Sequence, residues 1–226
     1  MGHKYNLIFL ANIYIFFQFL LYMENVIETA IGNFSKDNIY VINLDKRGSR
    51  LKKFKAACLK ENVPFTRFKG IEPTEKHANK YNPLILNNNY KTYINLSKKY
   101  GYLGATLSHT KLWIDILKKN NDNAIIFEDD AIFEEKFVEK LKTKLTHVPN
   151  DWDIILVGFL CQYRHWNKCH DNDNQKVNDH VWKINCFYGP TCYIVNTKKL
   201  NKFIKTYYHT IFIGIYIYLN DERKKI

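Results

Sequence analysis

Ile39 to Leu44 (IYVINL) is a compact apolar, β-branched run that stops on the polar turn Asp45 to Ser49, the pattern of a buried strand feeding a turn. Leu51, Phe54, Cys58 and Leu59 then recur at helical spacing, which predicts a helix over about Arg50 to Glu61 with Pro64 marking its stop. Phe65 to Phe68 reads as the next strand. Strand, helix, strand is the opening of a parallel α/β sheet, because parallel neighbours need a crossover between them. A chain of 226 residues can bury one sizeable core and is too short for two ordinary enzyme domains with a linker. The expectation is one α/β domain over residues 38–226, with a mostly parallel central sheet, behind an apolar leader and linker at 1–37.

Residues 72–99 are rich in Asn, Lys and Tyr with weak periodicity, and read as a surface insertion with little regular structure. Leu103, Leu107, Trp113, Ile116 and Leu117 mark an amphipathic helix that ends near Asn120 and Asn121. Ala124 to Phe127 (AIIF) is a buried strand running directly into Glu128-Asp129-Asp130. A helix from about Glu134 to Leu145 and a strand from Asp153 to Gly158 (DIILVG) follow. Cys161 to His180 reads as a polar loop, and Val181 to Phe187 and Thr191 to Val195 as two strands meeting at a Gly189-Pro190 turn. Thr197 is expected to cap a last helix toward Tyr207.

The formal charge of +12 admits nucleic acid, anionic membrane or a phosphorylated small molecule as partner. Its lysines are spread over the whole chain rather than gathered in a stripe, so nucleic acid is not the expected partner. Five cysteines contain no C-x-x-C pair, which leaves zinc ribbons and thioredoxin-like chemistry without support. Cys161 and Cys169 flank a polar loop and are compatible with a bridge or with two thiols. Leu7 to Tyr22 is an apolar run of about 16 residues, interrupted by Asn12 and Gln18, against the roughly 20 that a spanning helix needs. Residues 7–22 suit membrane association through a signal anchor, which would place the protein on secretory-pathway membranes; with Met23 as the real start it would be cytoplasmic.

Three adjacent carboxylates at a strand end raise one another's pKa unless something positive neutralises them. Hard oxygen ligands of this type suit Mg²⁺ or Mn²⁺, which keep open positions for diphosphate oxygens. The plainer reading is that Asp129 or Asp130 caps the next helix while Glu128 is solvated.

Ile39 to Arg50 (IYVINLDKRGSR), Gly101 to Trp113 (GYLGATLSHTKLW), Ile125 to Phe133 (IIFEDDAIF), Trp152 to Gly158 (WDIILVG) and Gly189 to Val195 (GPTCYIV) together resemble, in order and spacing, glycosyltransferase family 25. That family includes bacterial lipooligosaccharide galactosyltransferases and animal procollagen galactosyltransferases, and similar proteins occur in giant viruses. The resemblance implies a GT-A-like nucleotide-sugar-binding fold, a UDP-sugar donor, a glycan or protein acceptor, and Mn²⁺ or Mg²⁺ as cofactor. On matching positions it implies that Asn43, Leu44, Arg50, Ser108, His109 and Asp129 line the donor, and that Glu128 and Asp130 hold the metal. Asp153 is the candidate base for the acceptor hydroxyl. Two positions depart from the family pattern: Tyr102 follows Gly101 where an acid is usual, and Gly214 stands where a late acid is expected, with Asp221 or Glu222 as substitutes. The implied activity is hexosyl transfer, galactose or glucose, from the UDP-sugar to a hydroxyl; the alternative is a catalytically impaired relative that binds nucleotide sugar or glycan.

Overall fold

The computed structural model describes residues 35–77, 96–160, 175–183 and 188–207. Strand β1 (Ile39–Asn43) leads through a 3-10 turn (Asp45–Arg47) into helix α1 (Gly48–Lys60) and strand β2 (Thr66–Lys69). Helix α2 (Leu96–Leu117), β3 (Asn123–Glu128), α3 (Phe137–Leu145) and β4 (Ile154–Leu160) follow, then the short strands β5 (Gln175–Lys176) and β6 (Trp182–Lys183), β7 (Tyr188–Asn196) and α4 (Thr197–Tyr207).

The main sheet has the order β2-β1-β3-β7-β4, with β1 parallel to β2 and β3, and β7 antiparallel to both its neighbours. The expected parallel opening is present, and β4 runs the same way as β3. The sheet is nevertheless mixed, because β7 is reversed between β3 and β4. β7 returns antiparallel beside β4, and the described part of the connection between them carries the β5–β6 pair.

Side chains alternate across this sheet, and both faces are covered. Ile39, Val41, Ile125, Phe127, Cys192 and Ile194 point to the side where Phe54 and Cys58 of α1 and Leu141 and Leu145 of α3 pack. Tyr40, Ile126, Tyr193 and Val195 point to the side closed by Leu112, Trp113 and Ile116 of α2 and Leu200 and Ile204 of α4. Burying each large apolar side chain contributes about 1.5–3 kcal/mol, so the central position of β3, with five buried residues in succession, makes it the anchor of the fold. Burial also pushes the Cys58 thiol up to about 12, which leaves it an inert core filler.

Several local expectations change. Gly189-Pro190 lies inside β7 and not at a turn. β3 stops pairing at Phe127 opposite Cys192, so Pro190 has no β3 residue beside it, and on the β4 side it meets Phe159 where the register is irregular; a missing N–H is tolerated there. Of the strand expected over Val181 to Phe187, the described part is Trp182–Lys183, which pairs with Gln175–Lys176 inside the expected loop; residues 184–187 lie outside the described ones. Thr197 is the first residue of α4 and gives its hydroxyl to the Asn121 carbonyl, so it does not cap the helix; Asn196 does, its Oδ1 accepting from Lys198 N at 3.1 Å. Helix α3 starts at Phe137, with Glu61 from the end of α1 accepting from Lys136 N (3.1 Å) and Val138 N (3.3 Å). Helix α2 begins at Leu96, within the stretch expected to be irregular; residues 78–95 of that stretch, Cys161, Cys169, Cys186 and Gly214 lie outside the described residues.

The membrane expectation is corrected. Among the described residues no helix is long and apolar enough to cross a membrane, and the run at 7–22 lies outside them, so a signal anchor has no structural support.

The loop after β2 is seated on α2 at Gly104, where a Cβ would lie 2.9 Å from the Ile71 carbonyl oxygen and 2.9 Å from Pro73 Cδ. Gly101, one turn earlier, has open space around it. Replacing a helical glycine with alanine ordinarily stabilises by about 0.5–1 kcal/mol, whereas an overpacked contact costs about 1–3 kcal/mol. Gly101→Ala is therefore expected to raise the urea midpoint and Gly104→Ala to lower it. Equal gains in both variants would mean that the loop is not held against α2.

Candidate functional site

The register of β1 on β3 builds the site. Ile42 pairs with Glu128, so the next residues of the two parallel strands, Asn43 and Asp129, emerge side by side at the carboxyl edge of the sheet. Asn43 Nδ2 donates to Asp129 Oδ2 at 2.8 Å and to the Arg47 carbonyl at 3.1 Å. The 3-10 turn after β1 sets the first turn of α1 so that Arg50 faces the same acids: its Nη1 donates to Asp129 Oδ1 at 3.2 Å and Asp130 Oδ2 at 2.8 Å. Glu128 points toward α2, where Oε1 is 3.5 Å from His109 Nε2.

The electrostatics are those of a partly compensated anionic turn. Asp130 is pushed up from the ordinary carboxylate value by its burial, then by the charge of Glu128, with Arg50 pulling it back. Arg50 is raised, first by its hydrogen bond to Asp129. Among the described residues Arg50 is the guanidinium that meets these acids, one positive charge against three carboxylates. No group of three or more His, Cys, Asp and Glu side chains converges on one point among the described residues. Glu128 and Asp130 fit a hard divalent cation in donor type and in the negative charge left over, as a two-carboxylate site of the kind that takes its other ligands from water and phosphate.

Two side chains from β2 complete the edge. Arg67 Nε donates to Asn43 Oδ1 at 2.9 Å, and its Nη2 reaches Asp45 Oδ1 at 2.6 Å. Lys69 Nζ is 2.6 Å from the other Asp45 oxygen, and hydrogen bonds from Lys69 and then Arg67 hold the Asp45 carboxyl below its usual value. Arg67 and Lys69 stand two apart on an edge strand, hence on one face, which is the sequence signal that would have found them.

The remaining expected residues fall elsewhere. Leu44 is half-buried, with its Cδ2 where a Cβ on Gly70 would meet it at 3.1 Å, so it packs the ends of β1 and β2. Ser108 accepts from Ile71 N at 2.8 Å and donates to the Gly104 carbonyl at 2.6 Å; it clamps the loop after β2 onto α2 and does not reach the acidic turn. His109 is buried behind Glu128, with Nδ1 2.6 Å from Tyr193 Oη. Asp153 precedes β4 at the amino edge of the sheet, bonded to Lys199 Nζ at 2.8 Å. β3 and β4 run the same way, so the length of a strand, roughly 17–20 Å, separates Asp153 from the acidic turn. The structure does not bring Asp153 to the site. Tyr102 lies on α2 with its side chain outside the described atoms.

The chain is thus a mixed α/β protein with an arginine-braced acidic turn at the carboxyl ends of its parallel strands, the edge at which sheets of this class commonly bind ligands. The profile of glycosyltransferase family 25 (LPS biosynthesis protein) matches residues 36–218, and the chain belongs to this family. It is 25% identical over 186 residues to a procollagen lysyl hydroxylase and glycosyltransferase of Acanthamoeba polyphaga mimivirus, covering 75% of this chain and 19% of that protein. It is 24% identical over 128 residues to procollagen galactosyltransferase 1 of Danio rerio, covering 54% of this chain and 21% of that protein. A rat relative named "Probable inactive glycosyltransferase 25 family member 3" is 33% identical over 61 residues, covering 26% of this chain and 11% of that protein. The chain thus spans about a fifth of the length of the first two relatives.

The placement of Asp153 has a direct consequence. Asp153→Asn is expected to act only through the exposed Lys199 ion pair and so to change the unfolding free energy by about 0–1 kcal/mol. Urea denaturation checks this. A loss of several kcal/mol would mean that Asp153 has a role beyond that pair.

Proposed function

We propose that this chain is the catalytic domain of a glycosyltransferase that moves a hexose, galactose or glucose, from a UDP-sugar to a glycan or protein hydroxyl with the help of Mn²⁺ or Mg²⁺, on a GT-A-like sheet. The observation that carries the reading is the Glu128-Asp129-Asp130 turn, held open at the carboxyl edge of β3 by Arg50 and Asn43 in a chain of family 25. The galactosyltransferase name of the Danio rerio relative favours galactose.

Transfer breaks the bond between the anomeric carbon and the diphosphate oxygen, with the bonding pair leaving on UDP, and joins that carbon to the acceptor oxygen, whose proton passes to water. The departing UDP gathers negative charge, which an anionic turn alone would repel. Glu128 and Asp130 would hold the cation, whose chemistry when bound is Lewis-acid neutralisation of that diphosphate. Asp129 is spoken for by Asn43 and Arg50, which leaves the two outer acids for the ion. Arg50 is half-exposed and offers its remaining N–H groups to phosphate oxygens. A cavity of about 200 Å³ lies beside Ala131, lined by Phe133 and Phe137 together with Glu134, Lys140 and Lys144, and would give an acceptor a mixed polar and apolar wall next to the turn.

Incubating the purified chain with radiolabelled UDP-sugars and Mn²⁺ tests the activity. Transfer or donor hydrolysis above blank with one of the sugars is expected; saturable UDP binding without turnover of any of them would make the protein a non-catalytic binder. Asp130→Asn is expected to weaken Mn²⁺-dependent UDP binding about tenfold or more, a loss of about 1.4 kcal/mol or more, with the unfolding midpoint little changed. Unchanged affinity would return Asp130 to a purely structural role.

A further inference from the structure

Behind Glu128 lies a buried chain of ring side chains. Trp113, Tyr193 and His109 are each 1–2% exposed, so water does not compete for their hydrogen bonds. His109 and Trp113 are one helical turn apart on α2 and face the sheet together; Tyr193 comes from β7, paired with Ile126 of β3. Trp113 Nε1 donates to Tyr193 Oη at 3.0 Å, and Tyr193 Oη is 2.6 Å from His109 Nδ1. The other ring nitrogen, His109 Nε2, is 3.5 Å from Glu128 Oε1.

The chemistry of the donors gives this chain a direction. An indole N–H can only donate, so Tyr193 Oη accepts from Trp113, while its own O–H can be given to His109 Nδ1. The Glu128 carboxylate beside Nε2 favours a hydrogen on that nitrogen, which leaves Nδ1 as the acceptor of the Tyr193 O–H. In the other tautomer a lone pair would face that carboxylate, and two electron-rich groups would be held against each other in a buried setting.

We propose that Tyr193 is a positioning residue: with Trp113 behind it, it fixes the tautomer of His109 so that Nε2–H is presented to Glu128 and aims that acid at the site. The inference rests on the proposed function for what Glu128 holds, but the proton's location can be read without substrate or metal. Groups that orient a metal-binding carboxylate from behind typically change ion affinity 10–100-fold when removed.

The test is long-range proton–nitrogen NMR on the metal-free full chain labelled with ¹⁵N-histidine, with the His109 signals identified by their loss in His109→Gln. The expected result is a ring protonated on Nε2 alone, its Nδ1 giving the shift of an unprotonated nitrogen. A ring protonated on Nδ1 alone, or on both nitrogens, overturns the proposal, and this arm needs no variant of Tyr193. In Tyr193→Phe the fixed-tautomer signature is expected to give way to exchange between forms, with Mn²⁺-dependent UDP binding about tenfold weaker. A folded Tyr193→Phe protein that keeps both the signature and the affinity also overturns it. The Nε2–H form in a protein that transfers no sugar would support the positioning role and count against the enzymatic reading alone.

Discussion

Asp129 is the residue on which the geometry of the site depends. Its side chain is 11% exposed and accepts from the end of β1 through Asn43 and from the first turn of α1 through Arg50. A carboxylate so enclosed is tolerated only because it is paired and hydrogen-bonded, and stripping its partners would leave a buried charge uncompensated. Asn43, 1% exposed, is spent in the same cause: both its amide hydrogens and its Oδ1 are engaged, which fixes which way the amide faces. Three elements that end at one edge are thereby locked in mutual register.

That lock divides the labour among three consecutive acids. The middle one is consumed by the protein, Glu128 at the end of β3 turns toward α2, and Asp130, in the turn that follows, stays half-exposed beside Arg50. The outer pair is left with more negative charge than Arg50 offsets, and Asp130 is displaced upward by its burial first and by the charge of Glu128 second. The scaffold therefore presents a partly compensated anionic pair at the carboxyl edge of its parallel strands, where α/β sheets commonly bind ligands. Behind it, the Tyr193–His109 contact ties the same edge to β7, so the reversed strand that makes the sheet mixed also supports the site.

Much of this was legible in the sequence because burial leaves a one-dimensional trace. IYVINL and AIIF are short, β-branched and apolar because their strands are covered on both faces, and the acidic turn stands out for following such a run directly. The errors have physical causes. Gly-Pro reads as a turn, yet Pro190 is accommodated in a strand because its β3 neighbour has already ended. Asp153 follows Trp152 in a segment that resembles the family's, but resemblance carries no direction, and strand polarity places it at the wrong edge. Ser108 and His109 are adjacent and look like one functional pair; the helix turns them to different tasks, one on the loop after β2 and one behind Glu128. Arg67 and Tyr193 act on partners 24 and 84 positions away, contacts that only the folded sheet creates.

The central claim is that Glu128 and Asp130 hold a cation where the diphosphate of a nucleotide sugar binds. Anomalous diffraction from crystals soaked with Mn²⁺ and UDP tests it most directly. The account predicts a manganese peak bonded to oxygens of Glu128 and Asp130, with diphosphate oxygens completing its shell near Arg50. A peak bonded elsewhere, or UDP bound at this edge with no manganese beside either acid, would contradict it.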